Sequence, residues 1–264
     1  MPQTPAYRAR NFLIGISLQR GKVPSFAEYP SSIPAIGKLH ELDFEQPVTF
    51  FIGENGSGKS TLLEAIAVAC GLNPEGASRN FTFSTRASHS GLKDYLRLAR
   101  SVRRIRDRYF LRAESYFNVA TEIEKLDEDP FGGPPIIGAY GGRSLHEQSH
   151  GESFFALFMN RLGGEGLYIL DEPEAALSPT RQLTFLSRLH QLVQDGSQFL
   201  IATHSPILMA YPRAAIYLLA DNAPRLIPYR ETEHYTVTRN FLTRTGQMLD
   251  ILLNEPDEAQ PNDG

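Results

Sequence analysis

The chain has 264 residues, 41% of them hydrophobic and 21% charged, with a net charge of −4 and a single cysteine. A chain of this kind buries a sizeable core as one large domain or two small ones. The charge balance excludes a global attraction to nucleic acid or membrane, and a lone Cys70 excludes an internal disulfide and a multi-cysteine zinc site.

The opening residues, "MPQTPAYRARNFLIGISLQRGK", lack the long apolar segment of a signal peptide, and no stretch approaches about 18 uninterrupted apolar residues. The expectation is a cytoplasmic protein. Pro24 to Pro34, "PSFAEYPSSIP", is rich in Pro and Ser and reads as a loop. The short β-rich run "VTFFI" then meets a glycine-rich turn and a helix whose Leu62, Leu63, Ile66 and Ala69 recur at helical spacing. Strand, glycine loop and helix follow in the order a phosphate-binding loop requires. Gly53-x-x-x-x-Gly58-Lys59-Ser60 fits that pattern in full. The glycines let the backbone wrap a β-phosphate, Lys59 reaches the β- and γ-phosphates, and the Ser60 hydroxyl suits Mg²⁺.

Further along, "LRLARSVRRIRDRYFLR" is read as a helix with an apolar stripe of Leu98, Val102, Ile105 and Tyr109. Arg97, Arg100, Arg103, Arg104, Arg106, Arg108 and Arg112 then fall largely on its other faces. They suit either nucleic-acid phosphates or a solvated surface paired with the acidic run "TEIEKLDEDP". "QSHGESF" precedes the apolar run "FFALFMNRL" and opens another helix. Its exposed N–H groups suit an anion, and it reads equally as an ordinary N-cap with an acid in the first turn. "GLYILDEPEAALSP" and "SQFLIATHSP" each begin as a continuous apolar run, as parallel strands buried on both faces do. Asp171 ends the first, beside a metal position, and Glu172 follows it as a candidate to polarise water. His204 follows the second, where a side chain can sense a γ-phosphate. The helix "TRQLTFLSRLHQLVQDG" between them stops at Gly196, and the polar tail "NEPDEAQPNDG" is expected to fray.

Taken together, "GENGSGKST", "SHGES", "LDEPEAALSP" and "ATHSP" resemble the Walker A, signature, Walker B with D-loop, and switch histidine of ABC-type ATPases. The likeness is to the predicted ATPases labelled "AAA family", related to the ATPase heads of chromosome maintenance and break repair. It implies an α/β P-loop NTPase fold with a mainly parallel sheet flanked by helices, a small antiparallel β region and a helical subdomain. One domain is expected over 1–264, with its core at about 39–210, the helical and signature subdomain at about 88–165, and a flexible tail at about 254–264.

The resemblance also implies ATP and Mg²⁺. Gly53, Asn55, Gly56, Ser57, Gly58, Lys59, Ser60 and Thr61 would hold nucleotide, Ser60 and Asp171 the metal, and Glu172, Lys59 and His204 would act in hydrolysis. In such ATPases two heads sandwich two nucleotides, so Ser149, Gly151 and Glu152 would serve in trans across an ATP-dependent homodimer or a hetero-complex with an effector. Two departures stand out. His150 replaces a glycine of the transporter signature, and no Gln lies between Gln46 and Gln148, so the strand-like "RYFLRAESYFN" leaves Glu114 nearest the Q-loop position, where it would orient metal or water. Tyr7, Phe26 and Tyr29 are the candidates for stacking on adenine. Nucleic-acid contact through Arg97, Arg100, Arg103, Arg104 and Arg108 would suit DNA maintenance or phage defence. A transporter's nucleotide-binding subunit and an ATP-dependent switch with little turnover remain the alternatives.

Overall fold

The computed structural model describes residues 11–73, 91–112, 138 and 150–253. Tyr7, Glu114, Ser149 and the tail 254–264 lie outside them. The chain groups into two compact units, Met1–Ile227 and Pro228–Gly264.

In the first unit the strands are β1 (Leu13–Leu18), β2 (Glu41–Asp43), β3 (Val48–Ile52), β4 (Leu96–Arg100), β5 (Asp107–Arg112), β6 (Gly166–Asp171), β7 (Gln198–Ala202), β8 (Ala215–Leu218) and β9 (Arg225–Leu226). Its helices are α1 (Pro34–Gly37), α2 (Lys59–Ala69), α3 (His150–Asn160), α4 (Pro179–Gln194) and α5 (Pro206–Met209). Six strands form one sheet in the order β5-β6-β7-β3-β8-β9, parallel except for the β8–β9 pair. The remaining three make a small antiparallel sheet, β2-β1-β4. Both sheets agree with the fold expected from the motifs.

Every residue of β3, β6 and β7 is buried, which is why these strands read as unbroken apolar runs. Helix α2 packs against β6 and β7 and also against β4 of the small sheet. Its Leu62, Leu63, Ile66 and Ala67 join Leu13, Ile16, Phe51, Ile169 and Leu200 in one core. The two sheets are also joined by a side chain. Gln198 Oε1 accepts from the backbone N–H groups of Phe12 and Leu13 at 3.0 and 2.9 Å, and Nε2 donates to Leu13 O at 2.8 Å. Elsewhere Phe158 of α3 stacks on Phe185 of α4, with ring centroids 3.9 Å apart.

The helix expected over "LRLARSVRRIRDRYFLR" is instead two strands, β4 and β5, joined by the turn at Ser101–Arg106, and β5 agrees with the strand-like reading of "RYFLR". Tertiary pairing decides this: β4 pairs with β1 and β5 with β6, and Tyr109, Phe110 and Leu111 are buried in succession. Val102, a member of the supposed stripe, is fully exposed. Between 88 and 165 the described residues carry a 3-10 helix at Gly91–Tyr95, the strands β4 and β5, and α3.

The second unit carries α6 (Glu233–Thr243) and α7 (Thr245–Leu253). Thr232 caps α6 by accepting from Tyr235 N at 3.2 Å.

Candidate functional site

Parallel strands gather their C-terminal ends along one edge, and in open α/β sheets that edge is where ligands bind. Here β3, β6 and β7 stop together, with Asp171 in register with Ala202 and Phe51 also in register with Ala202. The residues that follow, Gly53, Glu172 and Thr203–His204, therefore emerge side by side.

Gly53 has φ +145°, and a Cβ there would lie 2.1 Å from Leu219 O and 2.8 Å from Ser57 Oγ. Only glycine fits. Gly58, at φ +96°, turns the chain into α2, and a Cβ there would press on Ile33 and Ile36 at 3.0 and 3.1 Å. A glycine-rich loop of this kind can offer backbone N–H groups to an anion, and Lys59 folds back onto the same loop. Lys59 is buried, and its Nζ donates to the carbonyls of Gly53 and Glu54 at 2.8 and 2.9 Å. Burial lowers its pKa, while Glu172, Asp171 and Glu174 act in the opposite sense. Ser57 Oγ is buried with no hydrogen-bond partner, a polar atom inside a cradle shaped for polar oxygens. Asn55 and Gly56 form the exposed tip, and Thr61 lies in the first turn of α2.

Ser60 Oγ donates to Asp171 Oδ1 at 3.0 Å. A hydroxyl and one carboxylate suit Mg²⁺, which is commonly held by one or two carboxylates plus substrate phosphate oxygens. Among the described residues no cluster of three His, Cys, Asp or Glu residues forms a self-sufficient metal cage, so a metal here would draw on nucleotide oxygens. Ser60 and Asp171 fit that role.

Glu172 has φ 51° and ψ 52°, a left-handed conformation that L-residues with a side chain seldom adopt. Such backbone strain costs about 1–3 kcal/mol and concentrates at working sites. It is held by Glu172 N donating to Ala202 O at 3.0 Å. Glu172 Oε1 lies 3.6 Å from His204 Nε2, with both side chains about one-third exposed. Burial foremost, then the Lys59 charge, lowers the His204 pKa, against a pull upward from Glu172. The shift favours the neutral imidazole, which donates from one ring nitrogen and accepts at the other.

Two residues that sequence reasoning missed complete this edge. Glu174 Oε1 accepts from His204 N at 2.5 Å and its carboxylate also meets Thr203, fastening the turn after β6 to the loop after β7. The second is Gln182 of α4, whose Oε1 accepts from Ser205 Oγ while its Nε2 donates to Leu177 O. Only spatial proximity reveals either pairing.

Burial lifts the Glu174 carboxyl above the usual carboxylate range, although the His204 N–H and Thr203 act against the shift. A raised acid binds its proton more tightly folded than unfolded, so its contribution to stability is full at low pH and declines as pH rises through the lifted value. Glu174→Gln keeps an acceptor for His204 N–H and removes this titration. Its melting temperature should exceed that of the parent by a few °C at pH 8, with the gain shrinking at pH 5. An equal gain at both pH values would show that the carboxyl ionises normally.

The remaining sequence candidates separate. Glu152 lies exposed in the first turn of α3, its Oε1 3.5 Å from Arg181 Nη2, and His150 and Gly151 open that helix. Tyr29 is two-thirds exposed with its hydroxyl 3.2 Å from Thr61 Oγ1, whereas the ring of Phe26 is covered by the Arg20 guanidinium at 4.4 Å. Several arginines that the sequence offered to nucleic acid are engaged within the fold. Arg100 Nη2 and Arg108 Nη1 donate to the carbonyls of Ala69 and Cys70 at 2.8 and 2.7 Å, capping the C-terminus of α2 from both sheets. Arg103 lies over the Phe12 ring at 4.4 Å, and Arg106 pairs with Glu165 at 2.7 Å.

Two family models match successive parts of the sequence. One is described as "AAA domain" over residues 32–130, the other as "AAA domain, putative AbiEii toxin, Type IV TA system" over residues 138–210. No curated protein matches. Among solved structures the chain is similar to cbiO1 from Clostridium perfringens, part of the ABC transporter complex cbiONQ, at 16% identity and TM-score 0.48 over 91% of this chain and 100% of that one. It is also similar to the SMC head domain from Thermotoga maritima, at 17% identity and TM-score 0.42 over 83% of this chain and 99% of that one. A third likeness is to a bacterial ABC transporter cassette with a dimeric structure, at 17% identity and TM-score 0.40 over 73% of this chain and 90% of that one. The two AAA-domain matches follow one another along the stretch whose phosphate loop, Asp171, Glu172 and His204 gather on one sheet edge, and together they support a P-loop ATPase of the AAA-like kind.

Proposed function

We propose that the protein is a Mg²⁺-dependent ATPase that hydrolyses ATP between two heads in the cytoplasm. The observation that carries this reading is the convergence of Ser60 on Asp171 at 3.0 Å and of Glu172 on His204 at 3.6 Å, beside a buried Lys59. Lys59 would leave the Gly53 and Glu54 carbonyls and donate to β- and γ-phosphate oxygens, with the loop N–H groups and Ser57 around the phosphates. Tyr29 would stack on adenine, since it stands by Thr61 with an exposed ring. Glu172 would accept the proton of a water aligned with the γ-phosphate, and a His204 ring N–H would donate to that phosphate as charge shifts onto the leaving oxygen. Mg²⁺, when held by Ser60 and Asp171, supplies charge neutralisation to the phosphates.

Ser149, Gly151 and Glu152 of a second copy would complete the site, which makes dimerisation depend on nucleotide. The ATP cycle would then drive or switch a partner. The family description of residues 138–210 supports a place in a defence or toxin system. Of the arginines considered for nucleic acid, Arg97 and Arg104 are the exposed pair best placed to meet phosphate.

Sedimentation of the Glu172→Gln protein tests both parts. With Mg-ATP it should move as a dimer and without nucleotide as a monomer. A monomer under both conditions would remove the trans role of 149–152. Added duplex DNA should co-sediment with the dimer at low salt. Four arginines per dimer give a slope of log K against log salt of about −3 to −4, which Arg97→Ala with Arg104→Ala should flatten.

A further inference from the structure

We propose that Arg112 is a positioning residue for the metal ligand Asp171, and that its guanidinium fork sets the affinity of the site for a divalent cation. The proposal rests on the ATPase reading above and concerns a residue that no motif marks. Arg112 ends β5 directly in register with Asp171 at the end of β6. Its Nη1 donates to Glu64 Oε2 at 2.8 Å, and its Nε lies 3.5 Å from Asp171 Oδ2. The other oxygen of the same carboxylate, Oδ1, accepts from Ser60 at 3.0 Å. Asp171 thus accepts a hydrogen bond from Ser60 on one oxygen and faces the Arg112 charge with the other.

The three side chains are only 21%, 14% and 7% exposed for Arg112, Glu64 and Asp171, so water screens them weakly. Glu64 sits one turn beyond Ser60 on α2, and its carboxylate fixes the far side of the guanidinium. That pairing leaves the planar fork with one direction in which to meet Asp171. Without Arg112, the partly buried carboxylates of Glu64 on α2 and Asp171 on β6 would lose the cation that meets them both in this arrangement. Their repulsion would turn Asp171 away from Ser60, and the oxygen that should meet a metal would no longer be aimed at it. Groups that orient a metal ligand commonly alter metal affinity by about 10–100-fold when removed.

The test is a titration of the full-length chain with Mn²⁺ in the presence of a non-hydrolysable ATP analogue, free Mn²⁺ being read by EPR. Affinity for the analogue alone is measured separately in EDTA. Arg112→Gln is expected to raise the Mn²⁺ Kd about ten-fold while the metal-free analogue Kd stays within about two-fold. Arg112→Lys keeps the charge and most of the volume, which protects the fold, and loses only the fork. It is expected to fall between the parent and the glutamine variant. Unchanged Mn²⁺ affinity in both variants overturns the proposal. So does an equal loss of metal-free nucleotide affinity, which would make Arg112 a staple for α2 through Glu64. A parent protein that bound the analogue in EDTA but took up no Mn²⁺ with it would count against the assignment of Asp171. A parent that bound no analogue at all would sink the ATPase reading itself.

Discussion

Replacing Glu172 by glutamine is expected to lower the rate of ATP hydrolysis about 10²–10⁴-fold, the range typical of a lost general base, while ATP affinity changes little. The substitution is nearly isosteric, so the left-handed turn at Glu172 and its backbone hydrogen bond to Ala202 O have no reason to move. What disappears is the ability to take a proton from water. Single-turnover hydrolysis separates this from an effect on binding, because the chemical step is then read with every site filled. A rate within about ten-fold of the parent would assign the base elsewhere. Glu174 would be the next carboxylate to consider, although its place between Thr203 and the His204 N–H suits an anchor better than a base.

Lys59→Ala is expected to remove measurable nucleotide binding at micromolar concentrations. Charge-assisted hydrogen bonds to phosphate are worth about 1.5–3 kcal/mol each, and Lys59 is placed to make two. Part of that gain is offset, since the ammonium must first give up the Gly53 and Glu54 carbonyls at 2.8 and 2.9 Å. A net loss of about 2–4 kcal/mol corresponds to a roughly 30–1,000-fold weaker Kd, read by calorimetric titration. Lys59→Met, which retains more of the buried stem, controls for packing, and it should bind as poorly as the alanine variant. Retained affinity in both would mean that the loop N–H groups alone hold the phosphates.

Much of this site is legible in one dimension because its parts are local. The phosphate loop requires glycines at fixed offsets, and the strand ends at Asp171 and Ala202 follow apolar runs whose completeness reflects burial on both faces. Where the reading failed, contacts distant in sequence decided the outcome. Leu98, Val102, Ile105 and Tyr109 keep helical spacing, but pairing of 96–100 with β1 and of 107–112 with β6 defines two strands there. Strand β1 itself went unnoticed, because "LIGISL" carries no motif and is fixed by its partners on either side. Glu174 and Arg112 were illegible as site residues for the same reason. An arginine in a basic run gives no sign that strand register will set it beside Asp171.

The bonds of Gln198 to Phe12 and Leu13 have a consequence for how the molecule comes apart. A side chain from the middle of the large sheet occupies backbone groups of the small one, so the small sheet cannot detach without exposing a buried amide that has lost its partners. Opening there breaks three buried hydrogen bonds on top of the lost β1 packing. The two sheets should therefore melt as one cooperative unit, with the amide protons of Phe12 and Leu13 among the slowest to exchange with solvent.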